Sequence, residues 1–201
     1  MANEEERDRR TFRGIYFQET GSGNDIPLDL SKNKPDGAIE LKDFLVGVRH
    51  ITKERFLQSF NHPFLVQSSM GTEIVGKTFF DTAYEDTDKL PIADRQACLV
   101  FPIVKRAVNS FSGMITIGRT PNNDFVIPHP LVSKFHAYFR HENGHWKLRD
   151  GNSKNRTYIA NSMMVPNKDY RVIDKTLVSF STSVCFLFLE PETFWSCFLE
   201  G

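Results

Sequence analysis

The sequence predicts a mainly β protein: an antiparallel sandwich in the second half of the chain, preceded by a partly helical extension. Three observations carry this. From Cys98 to Leu189 the apolar residues come in short runs separated by turn residues, the texture of a sandwich. Asn143-Gly144 lies between two of those runs, and Asn-Gly supplies the positive φ angles that a two-residue hairpin turn needs. Ahead of them, Ile39, Leu41, Phe44, Leu45 and Val48 follow helical rather than strand spacing.

In chain order, residues 1–35 are polar, with Gly21-Ser-Gly23-Asn24 and Lys32-Asn-Lys-Pro35, and read as a flexible arm. Residues 36–95 read as a partly helical extension and linker. Asp36-Gly37 offers a helix start, and the spacing predicts a helix near 38–49. Thr52, followed by Lys53, Glu54 and Arg55, can cap a second short helix carrying Phe56, Leu57 and Phe60. His62-Pro63 ends it, because proline disfavours helical geometry in the residue before it. Phe64–Val66 reads as a strand. The acidic stretch 81–95 contains Pro91 and reads as a linker.

Residues 96–201 are expected to form the sandwich domain. Its candidate strands are Cys98–Lys105, Met114–Gly118, Phe125–Ile127, Phe135–Glu142, His145–Asp150, Tyr158–Ala160, Tyr170–Ile173, Leu177–Phe180 and Val184–Leu189. A two-residue turn at Asn143-Gly144 puts Ala137, Phe139, Trp146 and Leu148 on one face. Tyr138, Arg140, Lys147 and Arg149 then occupy the other.

Composition narrows the function. Of the 201 residues, 40% are hydrophobic and 18 are Phe, enough for a sizeable core, while 25 acidic residues balance 25 basic ones. That balance gives no support to a nucleic-acid or membrane-surface role, which calls for a basic excess. The three cysteines, Cys98, Cys185 and Cys197, form no close motif and suggest reduced thiols in a cytoplasmic protein. The charged start lacks the apolar core of a secretory signal. No apolar run approaches the roughly 20 residues that span a bilayer.

The chemistry concentrates between Gly118 and Asn161. Arg119 follows a predicted strand, while Ser133 and Asn155 fall in predicted loops. A planar guanidinium suits charge-assisted bonding to a phosphate dianion. A hydroxyl can supply a short neutral donor beside it, and a carboxamide carries the donor and acceptor needed to hold a peptide main chain. Loops at one end of a sandwich can converge on a common ligand.

Gly118-Arg119, Ser133-Lys-Phe-His136 and Asn155-Arg156-Thr157 resemble the motifs of the forkhead-associated (FHA) domain, a phosphothreonine-binding β-sandwich. Asn123-Asp124 with Ile127, Trp146-x-Leu148-x-Asp150 and Ser153 add flanking matches. The resemblance covers roughly residues 97–190 and implies about eleven strands. It implies that Arg119, Ser133 and Lys134 hold the phosphate and that Asn155 holds the peptide backbone. Lys154 and Arg156 become candidates for additional contacts. Gly118, His136 and Thr157 support the site, with Asn123 and Asp124 shaping the loop. The implied function is a non-catalytic, phosphothreonine-dependent adaptor in Ser/Thr kinase signalling, whose partner is a phosphorylated protein, the kinase or its substrate. Two departures stand out. Arg156 replaces the glycine that usually follows the loop asparagine, and Ile159-Ala160-Asn161 replaces Val-Asn-Gly, with Asn161 standing in for a glycine.

Rival readings are weaker. Ser133, His136 and Asp150 lack the strand–elbow–helix setting of a hydrolase serine. His141 and His145 flank a hairpin tip, and neither a metal nor another cofactor is expected. Gly71–Thr78 satisfies the P-loop expression, but Phe79-Phe-Asp opens a helix poorly and no apolar strand ending in Asp follows; an ATP-dependent regulator is the remote alternative. Ser31-Lys-Asn-Lys34 fits S-x-x-K only in a polar arm. A phosphate-independent assembly module is the other alternative. Thr82 and Thr87 lie in the acidic linker, with Glu85 three residues after Thr82; once phosphorylated, either could be captured by the site in cis or by a second copy.

Overall fold

Alternating side chains decide the architecture, because one sheet is buried on both faces. The computed structural model describes residues 38–68, 98–106 and 108–200. In chain order the elements are β1 (Ile39–Glu40), α1 (Leu41–Val48), α2 (Lys53–Ser59), β2 (Phe64–Ser68), β3 (Cys98–Pro102), β4 (Ile115–Gly118), β5 (Phe125–Val126) and β6 (Ala137–Glu142). There follow β7 (His145–Asp150), β8 (Thr157–Ile159), β9 (Ser162–Met163), β10 (Asp169–Val172), β11 (Thr176–Phe180), β12 (Cys185–Leu189) and α3 (Pro191–Phe198). They build a 7-stranded sheet, ordered β1-β3-β2-β12-β11-β8-β9, and a 5-stranded sheet, ordered β10-β7-β6-β4-β5. The fold is mostly β and sandwich-like, with a few helices.

Between the sheets lie Leu65, Phe101, Val178, Phe180, Phe186 and Phe188 from one side, and Ile117, Phe125, Ala137, Phe139 and Leu148 from the other. The alternate residues of the same strands, Phe64, Val66, Cys98, Val100, Leu187 and Leu189, point out of the sandwich. They pack under the helices with Leu41, Phe44, Phe56, Phe60 and Phe194. The run Cys185-Phe-Leu-Phe-Leu189 is therefore continuous in hydrophobicity because both its faces are covered. Phe44 sits among Phe60, Phe64 and Phe194 with ring centroids 5.4, 5.6 and 5.4 Å away.

Local chemistry explains the ends of the elements. Thr52 caps α2 by accepting the Arg55 amide. Asp174 fastens α3 to the sandwich by accepting the Glu190 amide at 2.8 Å and the Thr193 hydroxyl. The hairpin expected at Asn143-Gly144 has φ values of 52° and 74°, with Phe139 opposite Leu148 and Arg140 opposite Lys147.

The main difference from the sequence expectation is that β1 and β2, from the segment read as an extension, lie in the 7-stranded sheet; the others are local. The first helix begins at Leu41 rather than 38, because Ile39 and Glu40 pair with Val100 and Leu99 and cover the edge of β3. Helix α3 and the two-residue β9 were not expected. β5 runs parallel to β4, an exception in an otherwise antiparallel structure. Gly71–Thr78, Thr82, Thr87 and Ser31–Lys34 lie outside the described residues. No helix among the described residues is long and apolar enough to cross a membrane.

Candidate functional site

Gly118 ends β4 where the chain passes closest to a neighbouring loop. A β-carbon there would lie 2.2 Å from the Lys134 carbonyl oxygen and 2.7 Å from Asn123 Nδ2, so only glycine fits. The approach lets Asn123 Nδ2 donate to that carbonyl at 2.7 Å, while the Thr120 hydroxyl donates to it at 2.9 Å. Beyond the glycine, the Arg119 amide donates to the Ser133 carbonyl at 2.9 Å. The Arg119 side chain is exposed, and its Nη1 reaches the Pro130 carbonyl at 3.4 Å.

Asn155 meets the same loop one residue further on. Its Nδ2 donates to the Leu131 carbonyl at 2.7 Å, and the neighbouring Lys154 amide donates to Ser133 Oγ at 3.0 Å. The structure therefore brings Arg119, Ser133, Lys134, Lys154 and Asn155 together around residues 130–134. The side chains of Lys134 and Lys154 are exposed. None of these residues belongs to the helix-side cluster, which lies across the outer face of the 7-stranded sheet.

His136 holds the loops beneath this rim. It is 0% exposed; its Nδ1 accepts the Ser133 amide at 3.0 Å, and its Nε2 lies 3.1 Å from the Arg156 carbonyl. An amide N–H on Nδ1 and a carbonyl on Nε2 define the neutral tautomer protonated at Nε2. Burial holds its pKa below the usual value, against the opposing pull of the Arg156 carbonyl and the Asp150 charge. The bond to Ser133 goes to the main chain rather than the hydroxyl, so the ring holds the backbone of this loop.

Asp150 is equally committed. Its carboxylate accepts the Ser153 amide at 2.9 Å and the Ser153 and Thr157 hydroxyls, each at 2.6 Å. Burial pushes this carboxyl up, but those bonds outweigh it and leave the pKa lowered. Asp124 does the same for the loop that contains it. It accepts from the Arg106 and Thr116 amides, the Thr116 hydroxyl, Lys105 Nζ and Asn109 Nδ2. Burial again raises its pKa, and the bonds led by Lys105 bring it down overall.

Arg156 has φ 63°, a left-handed geometry that glycine would adopt without steric cost. Its guanidinium folds back onto its own loop, bonding Asn152 Oδ1 at 3.2 Å and the Ser153 carbonyl at 2.9 Å. Its carbonyl accepts from His136 and also from the Ser181 amide at 2.9 Å, which joins the rims of the two sheets. Ala160 and Asn161 both have positive φ, 47° and 63°, so the next hairpin turns without any glycine. Sequence reasoning overlooked Thr120, Lys105, Asn109 and Ser181. Only Thr120, directly after Gly118-Arg119, carried a signal in the sequence.

Among the described residues no three His, Cys, Asp or Glu side chains gather in a way that could hold a metal ion.

Residues 115–181 match the family described as FHA domain. No curated protein matches the chain. Among solved structures, the N-terminal FHA domain of S. cerevisiae Rad53p, in complex with a phosphothreonine peptide, is 16% identical with a TM-score of 0.38, over 45% of this chain and 86% of that one. The FHA domain of an Arabidopsis thaliana hypothetical protein is 15% identical with a TM-score of 0.41, covering 64% and 86%. An FHA domain from Chlamydia trachomatis is 15% identical with a TM-score of 0.39, covering 64% and 97%.

Proposed function

We propose that this chain, whose residues 115–181 match the FHA domain, is a non-catalytic adaptor that binds phosphothreonine segments of partner proteins downstream of a Ser/Thr kinase. The observation that carries this reading is the attachment of Arg119, Ser133 and Asn155 to one loop. Arg119 reaches Pro130, Asn155 reaches Leu131, and Ser133, two residues further on, accepts the amide of Lys154, the neighbour of Asn155. A dianionic ester docking there would meet the Arg119 guanidinium and the Ser133 hydroxyl, with Lys134 as a further cation. Asn155 would hold the ligand main chain. The buried polar ties of His136, Asp150, Thr157 and Asn123 support preorganisation, because a loop ordered beforehand loses less entropy on binding.

The roles divide accordingly. Arg119, Ser133 and Lys134 contact phosphate; Asn155 contacts the peptide; Gly118, His136 and Thr157 position them. Lys154 acts through its amide on Ser133. Arg156 braces its loop in place of the contact expected of a rim cation. A cytoplasmic location fits three cysteines that form no disulfide among the described residues. Capture of a phosphorylated Thr82 or Thr87 from the same or a second copy remains part of this proposal, readable as a kinase-dependent change in oligomeric state that the double alanine variant lacks.

The deciding test is titration of the full chain with a phosphothreonine peptide library and its unphosphorylated twin, using wild type and Arg119→Ala. Phosphate-dependent binding by wild type alone supports the reading. Equal binding of both peptides would assign the sandwich to phosphate-independent assembly instead.

A further inference from the structure

Beside the rim, two large apolar rings stand in solvent. Phe111 is 52% exposed and Phe135 is 39% exposed, with ring centroids 6.3 Å apart. Phe135 follows Lys134 directly and leans on the root of the Asn155 loop, since a β-carbon on Gly151 would lie 2.5 Å from its ring. On its other side it stacks on Tyr138 at 6.1 Å. The strip is thus continuous with the site.

Phe111 has no such chain continuity, yet it is held in place. It stands in the polar loop Ser110-Phe111-Ser112-Gly113, where its amide donates to Asn109 Oδ1 at 3.1 Å. Asn109 Nδ2 in turn bonds Asp124 Oδ2 at 3.2 Å and the Asn122 carbonyl at 3.1 Å. The loop that bears Phe111 is therefore fastened to the segment that follows Arg119. Exposed aromatic side chains on a rigid support are the composition of an interface anchor.

We propose that Phe111 and Phe135 form a second contact for the phosphorylated partner, seating a bulky apolar side chain that flanks its phosphothreonine. The inference rests on the phosphothreonine reading of the rim. Ser133 and Phe135 are two residues apart, and an extended ligand advances about 3.3 Å per residue. A side chain a few positions from the phosphothreonine therefore spans the gap while the phosphate stays on Arg119 and Ser133. Together the two contacts define the substrate class: phosphothreonine with a nearby Leu, Ile, Met or Phe, rather than an acidic neighbour.

The experiment scans Leu through each of the four positions before and after the phosphothreonine in an otherwise alanine-flanked peptide, read by fluorescence anisotropy against wild type, Phe111→Ala and Phe111→Leu. Phe111 is exposed, so these variants keep the fold, which circular dichroism checks. Wild type should prefer Leu at one flank by about tenfold. Phe111→Ala should lose that preference while binding the alanine-flanked peptide as before, and Phe111→Leu should restore most of it. Equal flank preferences in wild type and Phe111→Ala, with phosphate dependence intact, overturn this inference alone. So does a change confined to self-association, which would assign the rings to a second copy. Loss of phosphate dependence in wild type overturns the underlying reading as well.

Discussion

His136 and Arg156, twenty positions apart in sequence, meet through a 3.1 Å hydrogen bond from the imidazole Nε2 to the main-chain carbonyl. The other ring nitrogen takes the Ser133 amide at 3.0 Å. One neutral ring thus sets the spacing between the loop bearing Ser133 and the loop bearing Asn155. His136→Ala should leave the core cluster in place but weaken phosphopeptide binding at least tenfold, because the Ser133 amide loses its partner, at about 1–3 kcal/mol, and the Arg156 carbonyl keeps only the Ser181 amide, which frees the two loops from each other. Calorimetric titration checks this; unchanged affinity would remove His136 from the positioning role.

Arg119→Ala should abolish phosphopeptide binding without altering thermal stability. Its guanidinium is exposed and, among the described residues, makes one long contact of 3.4 Å, while charge-assisted bonds to phosphate are worth about 1.5–3 kcal/mol each. Arg119→Lys should recover only part of the affinity, since an ammonium cannot grip two phosphate oxygens in one plane. Full recovery by lysine would argue against bidentate contact.

Gly118→Ala should be among the most destabilising small substitutions in the chain. The added carbon would stand 2.2 Å from the Lys134 carbonyl oxygen, a main-chain atom held by Asn123 and Thr120. A loss of about 2 kcal/mol or more is expected, from overpacking together with broken hydrogen bonds. Urea denaturation gives the value, and a loss under a few tenths would mean that the loop yields freely.

At Arg156 the order of stability should be informative. Glycine relieves the left-handed strain, and alanine retains it while losing the guanidinium bonds to Asn152 and Ser153. Arg156→Ala should therefore be less stable than Arg156→Gly, by about 1 kcal/mol. Thermal unfolding ranks the two, and the reverse order would show that the left-handed backbone carries little strain here.

Acid should weaken the fold before the carboxylates titrate. Burial among Phe60 and Phe64 pulls His62 down to about 4, and burial lowers His136 as well. Both groups bind protons more readily in the unfolded chain, so protons favour unfolding. Their contribution is complete above the unfolded value near 6.5 and is lost progressively as pH falls through the window down to the folded values. The urea midpoint should decline across that window, and His62→Phe should flatten the decline. A slope identical to wild type would exclude His62 as a source of it.

The resemblance noted at Gly118-Arg119, Ser133–His136 and Asn155–Thr157 was legible because these residues are short-range signals. The Asn143-Gly144 hairpin, the Thr52 cap and the alternation in β6 and β7 were legible for the same reason. In each case the cause lies within a few bonds of the residue that reports it. The sequence alone thus determined the sandwich, its main strands and the candidate site residues. Tertiary structure decided what depends on partners far along the chain. It placed β2 beside β12, laid α1, α2 and α3 over the outer face of the 7-stranded sheet, and turned the Arg156 guanidinium onto its own loop. It also stood Phe111 beside Phe135. Periodicity shows that a face is apolar, but only packing shows what covers it; the phenylalanines that became core and the two left at the rim are the same residue type, separated by nothing but their surroundings.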